Sequence, residues 1–231
     1  DVEWAADSST VFYLRQDPQT LVRGTVYRHL RGTDPATDVL VYDEPDPELY
    51  TAIARSASRR HLMIRLEGYD TTETRVVPLD APATTPRTVL PRRDGVRTYA
   101  DHLDDRWILR TNDAAPNFRL VAAPDDEPAE RARWRDVVPA RDDAAVDDFA
   151  LFERAIVIEE RVEAVSRVRV LPANGATFTV AADEAAFAMN LGANPDPAAR
   201  SVRYSYTSMT TPATIYDVDL VSGARQLRKV Q

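Results

Sequence analysis

Residues 199–223, ARSVRYSYTSMTTPATIYDVDLVSG, decide the fold. Val202, Tyr204 and Tyr206 alternate with polar residues, a Thr/Ser turn ends at Pro212, and a second apolar run (Ile215, Val218, Leu220) stops at Ser222-Gly223. β-branched and aromatic residues at period two, bounded by turn residues, specify a hairpin with one buried face. Four earlier stretches carry the same pattern behind a basic or polar start. They are Thr10-Val-Phe-Tyr-Leu-Arg15, Arg60-His-Leu-Met-Ile-Arg65, Arg106-Trp-Ile-Leu-Arg110 and Arg154-Ala-Ile-Val-Ile-Glu159. Each is followed by a further apolar run: Thr25 to Leu30, Thr74 to Leu79, Asn117 to Val121 and Ser166 to Leu171. Successive units are about 45 residues apart, the size of a four-stranded propeller blade and too large for a leucine-rich or ankyrin unit. The expected fold is therefore an all-β propeller of about five four-stranded antiparallel blades, at residues 1–46, 47–94, 95–140, 141–183 and 184–231.

Local signals fill in the blades. A strand is expected from Val22 to Leu30 after the loop at Asp17-Pro-Gln-Thr20, and Asn174-Gly175 marks a tight hairpin leading to a strand at Ala176 to Val180. The charged stretch Pro124 to Glu130 is expected as an exposed loop or a short helical turn. Asp183 to Ala188 is rich in alanine, yet its place in the repeat predicts strand.

Composition narrows the function. The 231 residues carry 29 Lys and Arg against 37 Asp and Glu, a net charge of −8 with no basic stripe, which argues against a nucleic-acid partner. Cysteine is absent, so there is no disulfide framework or thiolate metal site, in keeping with a reducing compartment. No apolar run approaches the ~20 residues of a membrane span. The chain opens at Asp1-Val-Glu-Trp already inside a strand pattern, which suggests a piece of a longer polypeptide.

No G-x-S-x-G elbow occurs, so no serine has the strand-to-helix setting that exposes a nucleophile in hydrolase sheets. The three histidines, His29, His61 and His102, are spread over three units and lack neighbours at ligand or triad offsets, so each reads as strand surface or satisfied core. No catalytic, metal or cofactor residue is assigned. Polar residues on innermost blade strands line a propeller's channel, and the candidates are Glu3, Arg55, Asp101, His102, Asp147, Asp148 and Asn190. Carboxylates among them leave open a five-bladed glycosidase, and a free-standing interaction scaffold is the other alternative.

Several segments together resemble the N-terminal propeller of prolyl oligopeptidase family serine peptidases, in particular the oligopeptidase B (protease II) branch. They are Asp1 to Arg15, Val26-Tyr-Arg-His-Leu-Arg-Gly-Thr33, Val39 to Glu44 with Leu49-Tyr50, Leu90-Pro-Arg-Arg93, Asn117-Phe118 and Tyr204 to Pro212. The resemblance implies a parent enzyme in which a seven-bladed propeller covers an α/β-hydrolase domain bearing the Ser, Asp and His. It implies a lid that restricts access to short peptides, cleavage after Arg or Lys, and a cytoplasmic location with the periplasm as alternative. The implied partners are that catalytic domain and short peptide substrates. Five units are present here, and no catalytic residue carries over. Thr207, Ser208, Met209, Thr210, Thr211 and Pro212, in the last unit, are expected to contact the catalytic domain or its hinge.

Overall fold

The computed structural model describes residues 1–17, 19 and 23–230. The expected strand start at Val22, the loop residues Pro18 and Thr20, and the chain end at Gln231 lie outside them. The described chain is all-β, with five four-stranded antiparallel sheets in each of which pairing order follows chain order. The first holds β1 (Val2–Trp4), β2 (Thr10–Gln16), β3 (Arg23–Leu30) and β4 (Val39–Asp43). The second holds β5 (Tyr50–Arg55), β6 (His61–Glu67), β7 (Thr72–Pro78) and β8 (Arg87–Leu90). The third holds β9 (Thr98–Leu103), β10 (Arg106–Thr111), β11 (Arg119–Pro124) and β12 (Arg135–Val138). The fourth holds β13 (Ala144–Phe152), β14 (Ala155–Val162), β15 (Val165–Pro172) and β16 (Phe178–Thr179). The fifth holds β17 (Phe187–Leu191), β18 (Ser201–Ser208), β19 (Thr214–Asp219) and β20 (Arg225–Val230). Among the described residues, helix is confined to single 3₁₀ turns at Pro35–Thr37 and Arg131–Arg133, and no helix is long and apolar enough to cross a membrane.

Two compact units are distinguishable: Asp1–Asp113 with Ala122–Arg135, and Ala114–Val121 with Asp136–Gln231. In the first, Phe12 and Val26 of one sheet pack with Ile53, Leu62, Ile64, Leu66 and Val77 of the next. Strand β6 shows what that packing requires. Leu62, Met63 and Ile64 are consecutive and all buried, so both faces of this strand are covered and period-two alternation gives way to a continuous apolar run. In the second unit, Val157, Val168 and Val170 of the fourth sheet pack with Met189, Val202, Tyr204, Tyr206 and Val218 of the fifth. Tyr204 stacks on Tyr216 and Phe187 on Tyr206, each with centroids 5.7 Å apart.

Short turns hold the strands in register. Asp7 accepts hydrogen bonds from the backbone N–H groups of Ser9 and Thr10 at 2.9 and 2.7 Å and from the Thr10 hydroxyl at 2.7 Å. Gly68 opens the β6–β7 turn where a Cβ would come within 2.8 Å of the Leu49 side chain. Strands β14 and β15 are joined through Glu163 and Ala164 alone, both left-handed at φ 51° and 65°, the signature of a type I′ turn built without Asn or Gly.

Two expected strands are shorter. Ala176 to Val180 reduces to Phe178–Thr179. Asp183 to Ala186 is a bend, and β17 begins at Phe187. Side-chain anchors override repeat position here: Asp183 takes the Arg225 guanidinium at 2.8 Å, and Glu184 turns onto the hydroxyls of residues 206–211. Pro124 closes β11, and the charged stretch that follows, residues 125–130, is a loop leading to the 3₁₀ turn.

Leu62→Ala is expected to cost ~2–5 kcal/mol, read as a lower urea midpoint, because a fully buried side chain leaves a cavity between two sheets. The double replacement Glu163→Asn with Ala164→Gly is expected to raise the same midpoint. Each non-glycine residue in the left-handed region costs roughly 1–2 kcal/mol, which Asn-Gly relieves; an unchanged or lowered midpoint would show that the turn is not strained.

Candidate functional site

All seven polar residues singled out from the sequence sit on the first strand of a sheet: Glu3 on β1, Arg55 on β5, Asp101 and His102 on β9, Asp147 and Asp148 on β13, and Asn190 on β17. Their partners are local. Glu3 and Arg55 approach to 4.0 Å, and Asp147 takes the Arg161 guanidinium at 3.0 Å. Register shifts between Val146 and Asp148, and the Asp148 carboxylate caps the N–H of Phe149 at 2.8 Å. Asn190 donates to Glu159 at 2.9 Å, whose second oxygen accepts from the Leu191 N–H at 2.8 Å. Asp101 accepts from the N–H groups of Ala57 and His102 at 2.9 and 2.7 Å, and burial pushes its carboxyl above the usual range.

His102 does not face solvent. Its ring is fully buried, and the structure brings it to His61, two residues the sequence reading treats as isolated. The rings meet edge to face with centroids 4.9 Å apart, and both lie against the buried Trp107, at 5.5 Å from His61 and 4.8 Å from His102. Asp125, from the loop after β11, completes the group: its Oδ1 lies 3.1 Å from His102 Nε2 and its Oδ2 is held by Arg60 at 3.0 Å. On the other side of the ring, His102 Nδ1 is 2.8 Å from Ser58 Oγ. Burial, and next the neighbouring His102, hold the His61 imidazole down to about 4; burial lowers His102 as well, although Asp125 opposes it. One nitrogen or carboxylate oxygen from each of His61, His102 and Asp125 lies within 4.8 Å of the others. Offsets along the chain could not show this pairing, because the two histidines come from different repeats.

The turn between β18 and β19, Thr207 to Pro212, is organised around Glu184. Oε1 accepts from the hydroxyls of Ser208, Thr210 and Thr211 at 2.9, 2.8 and 2.7 Å, and Oε2 accepts from the Tyr206 phenol. Ser208 Oγ in turn accepts from the N–H groups of Thr210 and Thr211 at 3.1 and 2.9 Å. These bonds, led by the one from Tyr206, hold the Glu184 carboxyl at about 2, down from 4.5. The turn presents Met209 almost fully to solvent, at 95% exposure.

Comparison with known proteins places this architecture. Residues 1–231 match the model of the prolyl oligopeptidase N-terminal beta-propeller domain. Dipeptidyl aminopeptidase BI of Pseudoxanthomonas mexicana is 43% identical over 99% of the chain, which covers 31% of that protein. Oligopeptidase B of Trypanosoma brucei, solved in a closed form with covalently bound antipain, superposes with a TM-score of 0.90 at 26% identity. The chain is covered in full and spans 34% of that structure. Oligopeptidase B of Leishmania major shares the fold with a TM-score of 0.91 at 24% identity, over the whole chain and 34% of its own. The chain thus spans about a third of the length of the proteins it matches.

Because the folded-state value of Glu184 is depressed, its contribution is complete above pH 4.5 and fades as pH falls toward 2. Amide exchange at Thr210 and Thr211, corrected for intrinsic pH dependence, is expected to accelerate over that window while core amides of β18 stay protected. Glu184→Gln should remove the pH dependence. A turn equally protected at pH 5 and pH 2 would show that the carboxylate does not organise it.

Proposed function

The chain belongs to the prolyl oligopeptidase family as its N-terminal β-propeller domain, and from that membership we propose that it gates a serine peptidase whose catalytic residues lie in an α/β-hydrolase domain of the parent protein. The observation that carries this reading is the full-length match at 43% identity to a peptidase of which the chain covers 31%. Gating needs no chemistry from the propeller. A lid that closes over a reaction site excludes water and folded proteins while admitting flexible peptides. The satisfied first-strand residues fit that role: each carboxylate among them is matched by a cation or a backbone N–H, so none stands in a hydrolytic pair. We assign the parent short peptides as substrates, cleavage after Arg or Lys, and a cytoplasmic location.

One observation favours a second specificity. The relative at 43% identity is named a dipeptidyl aminopeptidase, which points to release of dipeptides from a free N-terminus. The two readings separate on a pair of peptides ending in the same Arg-chromophore, one with a free and one with a blocked N-terminus. Endopeptidase action cleaves both, and dipeptidyl release needs the free amine.

The present chain alone is expected to hydrolyse neither peptide. The parent should cleave short peptides and spare a folded protein that carries the same site, and its activity should be lost to a serine-directed inhibitor. Inhibitor-sensitive hydrolysis by the 231-residue chain, or inhibitor-resistant hydrolysis by the parent, would overturn the assignment.

A further inference from the structure

We propose that His61, His102 and Asp125 form a binding site for a borderline divalent transition ion of the Zn²⁺ class. Three ligand-capable side chains from β6, β9 and the loop after β11 converge, with one donor atom from each within 4.8 Å of the others. Among the described residues they are the group of this kind. His102 is the fixed member. It is fully buried, and its Nε2 lies 3.1 Å from Asp125 Oδ1. That separation is close to the ~3.3 Å edge of a tetrahedron with bonds of about 2.0–2.1 Å. An unprotonated nitrogen facing a carboxylate at this distance is repulsive unless a proton or a cation lies between them.

The serine pair accommodates the tautomer that ligation needs. The Arg60 N–H donates to Ser58 Oγ at 3.3 Å, the His61 N–H donates to Ser56 Oγ at 3.1 Å, and the two serine oxygens are 3.0 Å apart. With the Ser58 hydroxyl given to Ser56, Ser58 Oγ accepts from His102 Nδ1–H, which leaves the Nε2 lone pair for a metal. A second hydrogen bond that orients a ligating imidazole in this way is the usual companion of a histidine ligand.

His61 supplies the second imidazole. Both its ring nitrogens are buried without a hydrogen-bond partner, an arrangement that is uncommon in folded proteins and calls for an explanation. The ring stacks on Trp107 and meets the edge of His102, and a turn of it would be needed to close the third ligand distance. Two imidazoles and one carboxylate favour zinc, nickel or copper over calcium or magnesium, which prefer all-oxygen shells. Arg60, on the far carboxylate oxygen, orients Asp125 and opposes the ion's charge, so moderate affinity is expected. A bound ion would staple the loop at 124–134 to the second and third sheets. The site is independent of the peptidase reading, since none of its residues is assigned to substrate.

The test is titration of the chelator-treated chain with Zn²⁺ by calorimetry and with Co²⁺ by visible absorption. The expected result is one equivalent bound, tetrahedral Co²⁺ bands, a raised thermal midpoint, and no response to Mg²⁺ or Ca²⁺. Asp125→Asn changes a loop residue, and His61→Gln removes a side chain with no hydrogen bond, so both variants should fold. Each should weaken Zn²⁺ binding by ~10–100-fold or more, a loss seen even when only a supporting partner of a ligand is removed. Absence of saturable Zn²⁺ and Co²⁺ binding by the unaltered chain, or binding unchanged in both variants, overturns the proposal.

Discussion

The structure depends on burying sheet faces that a single four-stranded meander leaves wet. Strand β6 states the requirement most directly: Leu62, Met63 and Ile64 point alternately to opposite faces, and all three are buried. A strand with both faces covered must lie in a sheet packed on both sides, and burial of apolar area at roughly 25 cal/mol per Å² supplies the drive. The repeat therefore follows from packing. Within each unit one copy offers the next a face of the same chemistry, which is why Val157, Val168 and Val170 meet Val202 and Tyr204 much as Phe12 and Val26 meet Leu62 and Ile64.

Packing of that kind fixes neighbours without fixing their register, and buried polar groups do the second job. Thr72 Oγ1 accepts from the Thr98 N–H at 2.7 Å and donates to the Thr98 carbonyl at 3.0 Å, tying β7 to β9, while the Thr98 and Thr111 hydroxyls meet at 2.8 Å. Glu73 binds Arg75 and Arg92, and Arg92 reaches on to Glu44 beyond the end of β4. Burial alone would push Glu73 up, yet the hydrogen bonds from Arg92 and Arg75 hold it below the usual carboxylate range. In the second unit Asp217 is gripped by Arg203 and Arg228 at 2.8 and 2.7 Å. Such pairs add little net stability once desolvation is counted, but breaking one leaves a buried charge, so they penalise every register except this one.

What was legible in the sequence divides along the same line. The five-fold repeat and most strand positions were readable because alternation and turn residues are local properties of the chain. The bend at Asp183 to Ala186 was not, since repeat position predicts strand and only the distant hydroxyls of Ser208, Thr210 and Thr211 reveal why Glu184 leaves the ladder. The hairpin of β14 and β15 was readable, but the left-handed backbone of its turn at Glu163-Ala164 was not, because such a turn without glycine or asparagine carries no compositional signal. The first-strand positions of Glu3, Arg55, Asp101, His102, Asp147, Asp148 and Asn190 followed from the repeat, whereas their partners came from neighbouring strands and sheets. His61 and His102 mark the limit of offset reasoning: their meeting is a property of two sheets in contact.

That contrast separates the polar residues by what they are for. Nearly all of them are matched, carboxylate to guanidinium, hydroxyl or backbone N–H, and matched groups hold strands in place without being available for chemistry. Buried polar groups in folded proteins are hydrogen-bonded with few exceptions, since an unmatched one costs desolvation with no return. The imidazole of His61 breaks that rule beside a buried His102 whose Nε2 faces a carboxylate. A neutral imidazole carries one N–H and one lone pair, and a single ion would take only the lone pair. Trp107 and the edge-to-face imidazole contact are the packing on offer here, and they recover stacking energy while leaving the lone pairs unmatched. Among the described residues Trp107 Nε1, Arg65 Nε and Arg169 Nε are also buried without a hydrogen-bond partner, so what sets the His61–His102 pair apart is the carboxylate that faces it.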